Sequence, residues 1–104
     1  MAFPISASLL DALVLAIVSK EDTYGYKITQ EIREAIDMSE STPYPVLRRL
    51  LKDECLESYD KEYMGRNRRY YRVTTAGAAQ LSLYREEWKS HKQKVDRIME
   101  GENI

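Results

Sequence analysis

Two short stretches of the sequence carry residues able to do chemistry. GRNRRYYRVT (65–74) places Arg66, Arg68, Arg69 and Arg72 within ten residues of a 104-residue chain whose formal net charge is -1. STPYPVLRRLLKDE (41–54) sets the hydroxyls of Ser41 and Thr42 ahead of Arg48, Arg49 and Lys52. Cations of this kind neutralise phosphate and release its counterions, and hydroxyls bond phosphate or base edges. Blander uses are a solvated helix face and a charged edge strand that resists aggregation.

The charge is unevenly spread. Residues 41–75 hold eight Lys/Arg against five Asp/Glu, and the remainder holds eight against twelve. An acidic body with one basic region suits a localised anion-binding face rather than a generally sticky cation.

Other chemistries find little support. His91 is the single histidine and has no evident nucleophile beside it. No Gly-rich phosphate loop and no metal-ligand spacing occurs, so neither an enzyme nor a cofactor or metal is expected. Cys55 is the single cysteine; it excludes an internal disulfide and points to a reducing compartment, the cytoplasm. The apolar run 12–18 is too short to span a membrane, so no membrane partner is expected.

These residues need elements to hold them. SASLLDALVLAIVSK (6–20) reads as a helix apolar on more than one face, buried on two sides, the second of them against another subunit. YGYKITQEIREAID (24–37) is a second helix with Ile28, Ile32, Ala35 and Ile36 on one stripe, capped by Asp22 or Thr23. In 41–54 both prolines fit the first helical turn, with Ser41 or Thr42 as N-cap. There Leu47, Leu50 and Leu51 form the buried stripe; Pro45, Arg49 and Lys52 point away from it, flanked by Tyr44 and Arg48. LESYDKEYM (56–64) and RRYYRVT (68–74) suit a hairpin about a Gly65–Arg66–Asn67 turn, with one of Tyr70 and Tyr71 facing the core.

A last helix runs from about 75 to 100. Its Leu81, Tyr84, Trp88, His91, Val95 and Ile98 are spaced 3, 4, 3, 4 and 3, an a/d seam suited to a dimerisation arm. Leu10 and Leu13 of the first helix join Leu81, Val95 and Ile98 as expected interface residues. The order helix, helix, helix, hairpin is that of a winged helix-turn-helix, whose third helix enters the major groove. The expected fold is mainly α with a two-stranded β-hairpin (α+β): a DNA-binding unit over 1–75 and a dimerisation helix over 76–104.

YGYKITQEI, STPYPVLRRLLKDECLESY and GRNRRYYRVTTAG resemble the PadR family of bacterial transcriptional regulators, and the resemblance covers nearly the whole chain. The Thr42-x-Tyr44-Pro45-x-Leu47-x-Arg49-Leu50 and Arg69-Tyr70-Tyr71-x-Val73-Thr74-x-x-Gly77 patterns carry it most specifically. Two departures stand out: Pro43 where leucine is usual, and Glu54–Cys55 in place of a glycine-containing turn. The resemblance implies the smaller subclass with one C-terminal helix. It implies a homodimeric repressor of an inverted-repeat operator, with Tyr44 and Pro45 at the DNA surface. It also implies an aromatic effector stacking on Trp88, beside Tyr84 and His91, unless those residues only pack the dimer interface. The DNA-binding set is then Ser41, Thr42, Tyr44, Pro45, Arg48, Arg49, Lys52, Arg66, Arg68 and Arg69. The competing reading is a winged-helix protein-interaction module without DNA binding.

Overall fold

The computed structural model describes residues 5–101; the outer ends of the two expected units, 1–4 and 102–104, lie outside the described residues. Helix α1 (Ala7–Lys20) starts where the Ser6 hydroxyl accepts from the Leu9 N–H at 3.1 Å. Its apolar surround buries Leu10, Val14, Leu15 and Val18 at the centre of the body.

Strand β1 (Thr23–Tyr24) leads directly into helix α2 (Gly25–Ala35). The expected caps at Asp22 and Thr23 are not used: Tyr24 is the N-cap residue and makes no side-chain cap bond. Thr23 is drawn into a sheet instead, and Asp22 accepts from the Tyr59 hydroxyl at 2.6 Å. Ile28 and Ile32 are buried as the stripe requires, whereas Ala35 is exposed.

Helix α3 (Pro43–Lys52) begins at Pro43, with both prolines in its first turn as expected. Thr42 occupies the N-cap position but caps nothing; its hydroxyl lies 2.7 Å from that of Ser39. Buried Pro43, Val46, Leu47 and Leu50 seat the helix on α1. Beyond α3 the chain turns at Glu54, whose φ of 61° lies in the left-handed region that favours glycine. The turn is held by bonds from Thr74: its hydroxyl donates to the Glu54 carbonyl at 2.6 Å and its N–H to the Cys55 carbonyl at 3.1 Å.

Strands β2 (Leu56–Tyr63) and β3 (Arg66–Val73) pair antiparallel from Leu56↔Val73 to Tyr63↔Arg66. The connecting loop is Met64–Gly65, both with positive φ (52° and 80°), as two-residue hairpins that match strand twist require. This corrects the turn expected at Gly65–Arg66–Asn67, because Arg66 and Asn67 already belong to the ladder. β1 adds to the other edge of β3 through Thr23↔Tyr71 and Tyr24↔Tyr70, so the sheet has three strands in the order β1-β3-β2.

Helix α4 (Thr75–Met99) is capped by the Thr74 hydroxyl, which accepts from the Gly77 N–H at 3.0 Å. Its first turns dock on the body, but residues 85–100 are exposed throughout. Leu10 and Leu81, expected at a subunit interface, are each only 4% exposed and belong to the chain's own core. The seam residues that remain outside are Trp88, His91, Val95 and Ile98, with Met99 beside them.

Candidate nucleic-acid interface

The first turn of α3 cannot hold an anion by its backbone. Pro43 and Pro45 have no N–H, and the Tyr44 N–H bonds to the Ser41 carbonyl at 3.3 Å. Any polar contact at this end therefore falls to side chains. Ser39, Ser41 and Thr42 supply them as a hydroxyl cluster, with Ser39 Oγ 3.3 Å from Ser41 Oγ and 2.7 Å from Thr42 Oγ1.

Tyr44 projects from the same turn, 40% exposed. Its ring lies over Gly25: a Cβ built at Gly25 would come within 2.9 Å of Tyr44 Cε1. The glycine of the YGY motif thus makes room for a residue of the next helix. Gly25→Ala is expected to leave stability within about 1 kcal/mol of wild type, because the end of a side chain can move aside. It is expected to weaken DNA binding severalfold by displacing Tyr44. Thermal unfolding and a gel-shift titration of the same sample check both halves.

Further along α3, Pro45, Arg48 and Lys52 are exposed. Arg48 and Lys52 make no ion pair among the described residues. Arg49 is exposed as expected, but it is not free. Its guanidinium pairs with Asp11 of α1, whose side chain is only 13% exposed. The Arg49 side chain reaches back from the exposed side of α3 to α1, a contact that a helical wheel of α3 alone does not show.

The sheet divides its arginines between two faces. Tyr71 is buried on the face toward α3, and burial pushes its phenol up against the opposing influence of Arg69 and Arg48. Arg69 therefore lies on the α3 side, loosely paired with Asp60 at 3.8 Å. Residues alternate along a strand, so Arg66, Arg68, Tyr70 and Arg72 take the other face. There Tyr59 stacks on Tyr70 with centroids 5.7 Å apart, and Tyr24 meets Tyr70 edge-on at 5.6 Å.

Arg68 is held between two rings, 4.0 Å from the centroid of Tyr24 and 3.9 Å from that of Tyr63. Such stacking holds the guanidinium plane while its N–H edge remains available. Arg72 lies over Tyr59 and bonds Glu57 at 2.8 Å, so its charge is spent locally. Arg66, beside the loop, is exposed and makes no ion pair among the described residues.

A second feature lies between α1 and α4, an open groove of about 750 Å³. Leu9 and Ala12 line one wall; Tyr84, Trp88, His91, Val95 and Met99 line the other, with Lys92, Glu87 and Asp96 at the margin. Trp88 is 49% exposed and its ring lies 6.2 Å from that of His91. The residues expected around an effector are thus brought together, and α1 contributes the facing wall.

The arrangement of α2, α3 and a basic hairpin beside a long terminal helix is that of winged-helix regulators. A family model described as the transcriptional regulator PadR-like family matches residues 14–83. This chain belongs to that family. The likeness extends over most of the length of solved relatives. The crystal structure of smu.1704 from Streptococcus mutans UA159 superposes with a TM-score of 0.90 at 43% identity, covering 100% of this chain and 98% of that one. A PadR family transcription regulator from hypervirulent Clostridium difficile R20291 gives 0.80 at 30% identity, over 86% and 97% of the two chains. Transcriptional regulator Rv3488 of Mycobacterium tuberculosis is 39% identical over 70 residues, 66% of this chain and 65% of that protein. The chain is accordingly a transcriptional regulator of the PadR-like family with a winged-helix fold. Among the described residues no helix is long and apolar enough to cross a membrane.

Sequence reasoning passed over two residues that organise this surface. Gly25 was legible only as part of the YGYKITQEI motif that opens the second helix. Asp11 was visible as a lone carboxylate in an otherwise apolar helix, a signal that a buried partner must exist.

Proposed function

We propose that this PadR-family regulator binds double-stranded DNA as a homodimer and represses transcription from an inverted-repeat operator. The observation that carries this reading is the gathering of Ser41, Thr42, Tyr44, Pro45, Arg48 and Lys52 on one exposed side of α3. Arg69 lies beside that side on β3. Arg66 and the ring-held Arg68 extend the charge along the hairpin. α3 supplies base contacts, and the hairpin supplies phosphate contacts that set register. Arg49 serves at the edge of this surface.

In the same reading residues 1–75 form the DNA-binding unit and 76–104 the dimerisation arm, docked on the body through Gly77 and Leu81. The half-exposed Trp88 and the exposed Val95, Ile98 and Met99 form the apolar stripe that a second subunit covers. Leu13, half-buried on α1, borders that interface. An aromatic effector occupies the groove at Trp88, Tyr84 and His91 and releases the operator. The protein works in the cytoplasm, where Cys55 remains a thiol; burial, with Asp53 and Asp11 nearby, pushes its pKa up and keeps it unreactive.

The test is a titration of the full chain against a duplex from upstream of its own gene and a random duplex of equal length, with mass measured in parallel. A dimer that prefers the upstream duplex by about a thousandfold or more is the expected result for a specific regulator. A dimer that binds neither duplex would instead fit the interaction module.

A further inference from the structure

Asp11 is the one carboxylate in α1, and it lies among Leu10, Val14 and Leu15. Burying a carboxylate is costly unless each oxygen finds a donor. Its two oxygens find donors on two different helices. Oδ1 accepts from the Arg49 guanidinium of α3. Oδ2 is approached by the Tyr84 hydroxyl of α4 at 3.4 Å. Tyr84 in turn lines the groove between α1 and α4. One carboxylate therefore joins the proposed reading helix to a wall of the groove.

We propose that Asp11 is a positioning residue: it aims Arg49, and through its second oxygen it makes the aim of Arg49 responsive to Tyr84. This rests on the reading that α3 faces DNA. Arg49 is 42% exposed at the side chain, so part of its donor fork is held by Asp11 and part is free for DNA. At 3.4 Å the Tyr84 bond is long, and small movements of α4 tighten or break it. When Tyr84 leaves, Oδ2 loses its donor and the carboxylate turns toward Arg49, its remaining partner. When Tyr84 closes in, Asp11 shares its charge and the grip on Arg49 loosens.

The other end of α4 cannot follow such movements. Gly77 abuts the Cys55 carbonyl, and Thr74 is bonded to Glu54 and Cys55, so the start of α4 is fixed to the end of α3. Leu81 is held in the core as well, so displacement of the free end of α4 is concentrated beyond Leu81, along the stretch that begins near Tyr84. A molecule in the groove that accepts the Tyr84 hydroxyl proton, or a second subunit that shifts α4, acts on Arg49 by this route.

The test has two arms on the full chain. In the first, without DNA, the Arg49 side-chain N–H signals are followed by nitrogen-15 NMR and assigned with Arg49→Gln. Asp11→Asn is expected to move them strongly, and Tyr84→Phe, which removes only the hydroxyl, to move them measurably. Arg49 signals identical in wild type and Tyr84→Phe would overturn the proposal, even if Asp11→Asn failed to fold. In the second arm, the ratio of affinities for the upstream and random duplexes is measured. Asp11→Asn and Arg49→Gln are each expected to lower it about tenfold, the scale of one charged hydrogen bond, and the double variant no further. Tyr84→Phe is expected to change it about threefold, a neutral bond's worth. Additive losses in the double variant would also overturn the proposal. Wild type that bound no duplex would sink the DNA reading itself, while the first arm would still report whether Tyr84 reaches Arg49.

Discussion

Gly77→Ala is expected to destabilise the protein by about 3 kcal/mol, the upper range for forced overpacking. A Cβ at this position would stand 2.0 Å from the Cys55 carbonyl oxygen and 2.9 Å from Val73 Cγ2. The obstructing atom is backbone, and that backbone is fixed on both sides. The Cys55 N–H bonds to the Leu50 carbonyl at 2.9 Å, and its carbonyl accepts from Thr74. Alanine's better helix propensity returns only about 1 kcal/mol. For a chain of this size the melting temperature should fall by about 10–20 °C. Calorimetry of the two proteins checks it; an unchanged melting temperature would mean that α4 does not pack on the turn after α3. Because this contact joins the turn after α3 to α4, the variant should also lose cooperativity of unfolding between the two helices.

DNA affinity should fall steeply with salt. If a dimer neutralises about eight phosphates, log K against log salt slopes by about −7, and affinity drops about 10⁴-fold between 50 and 200 mM. Arg48→Ala and Lys52→Ala should each flatten the slope by about 2, since a dimer loses two contacts per substitution. Arg72→Ala should leave the slope nearly unchanged, because Glu57 and Asp22 already offset that charge at 2.8 and 3.9 Å. Arg68→Ala should lower affinity for upstream and random duplexes alike, as a phosphate contact does. Salt titrations by fluorescence anisotropy with a labelled duplex measure all of these. A flat dependence for wild type would contradict phosphate binding by this surface.

Much of the architecture was legible in one dimension because it depends on local periodicity. The apolar saturation of α1, the stripe of α3 and the a/d spacing of α4 each follow from repeats of three and four residues. The capping of α4 by Thr74 is likewise local chemistry, and so is the burial of one tyrosine of the pair 70–71. The hairpin was visible as two β-rich runs, but its loop was set by backbone twist: Met64 and Gly65 take positive φ, and Arg66 and Asn67 are left to pair. The two-residue strand β1 has no period to detect. It exists because β3 presents a free edge, and its formation removed Thr23 from the capping role that its residue type suggested.

By itself, then, the sequence determined which residues are cationic, which faces are apolar and which stretches are helical, since these depend on neighbours within about one turn. It thereby determined the family as well, through motifs on α3 and β3. Only the tertiary structure decided what each charged side chain meets. Arg49 was outward on an isolated helix and proved to be held by Asp11, 38 positions earlier. Arg68 was one of four equivalent arginines and proved to be clasped by Tyr24 and Tyr63, which come from two other strands. Leu10 and Leu81 had the pattern of interface residues and became core, because α4 folds back on α1 before it leaves the body. Contacts between distant positions depend on how whole elements pack, and that packing is a property of all of them together.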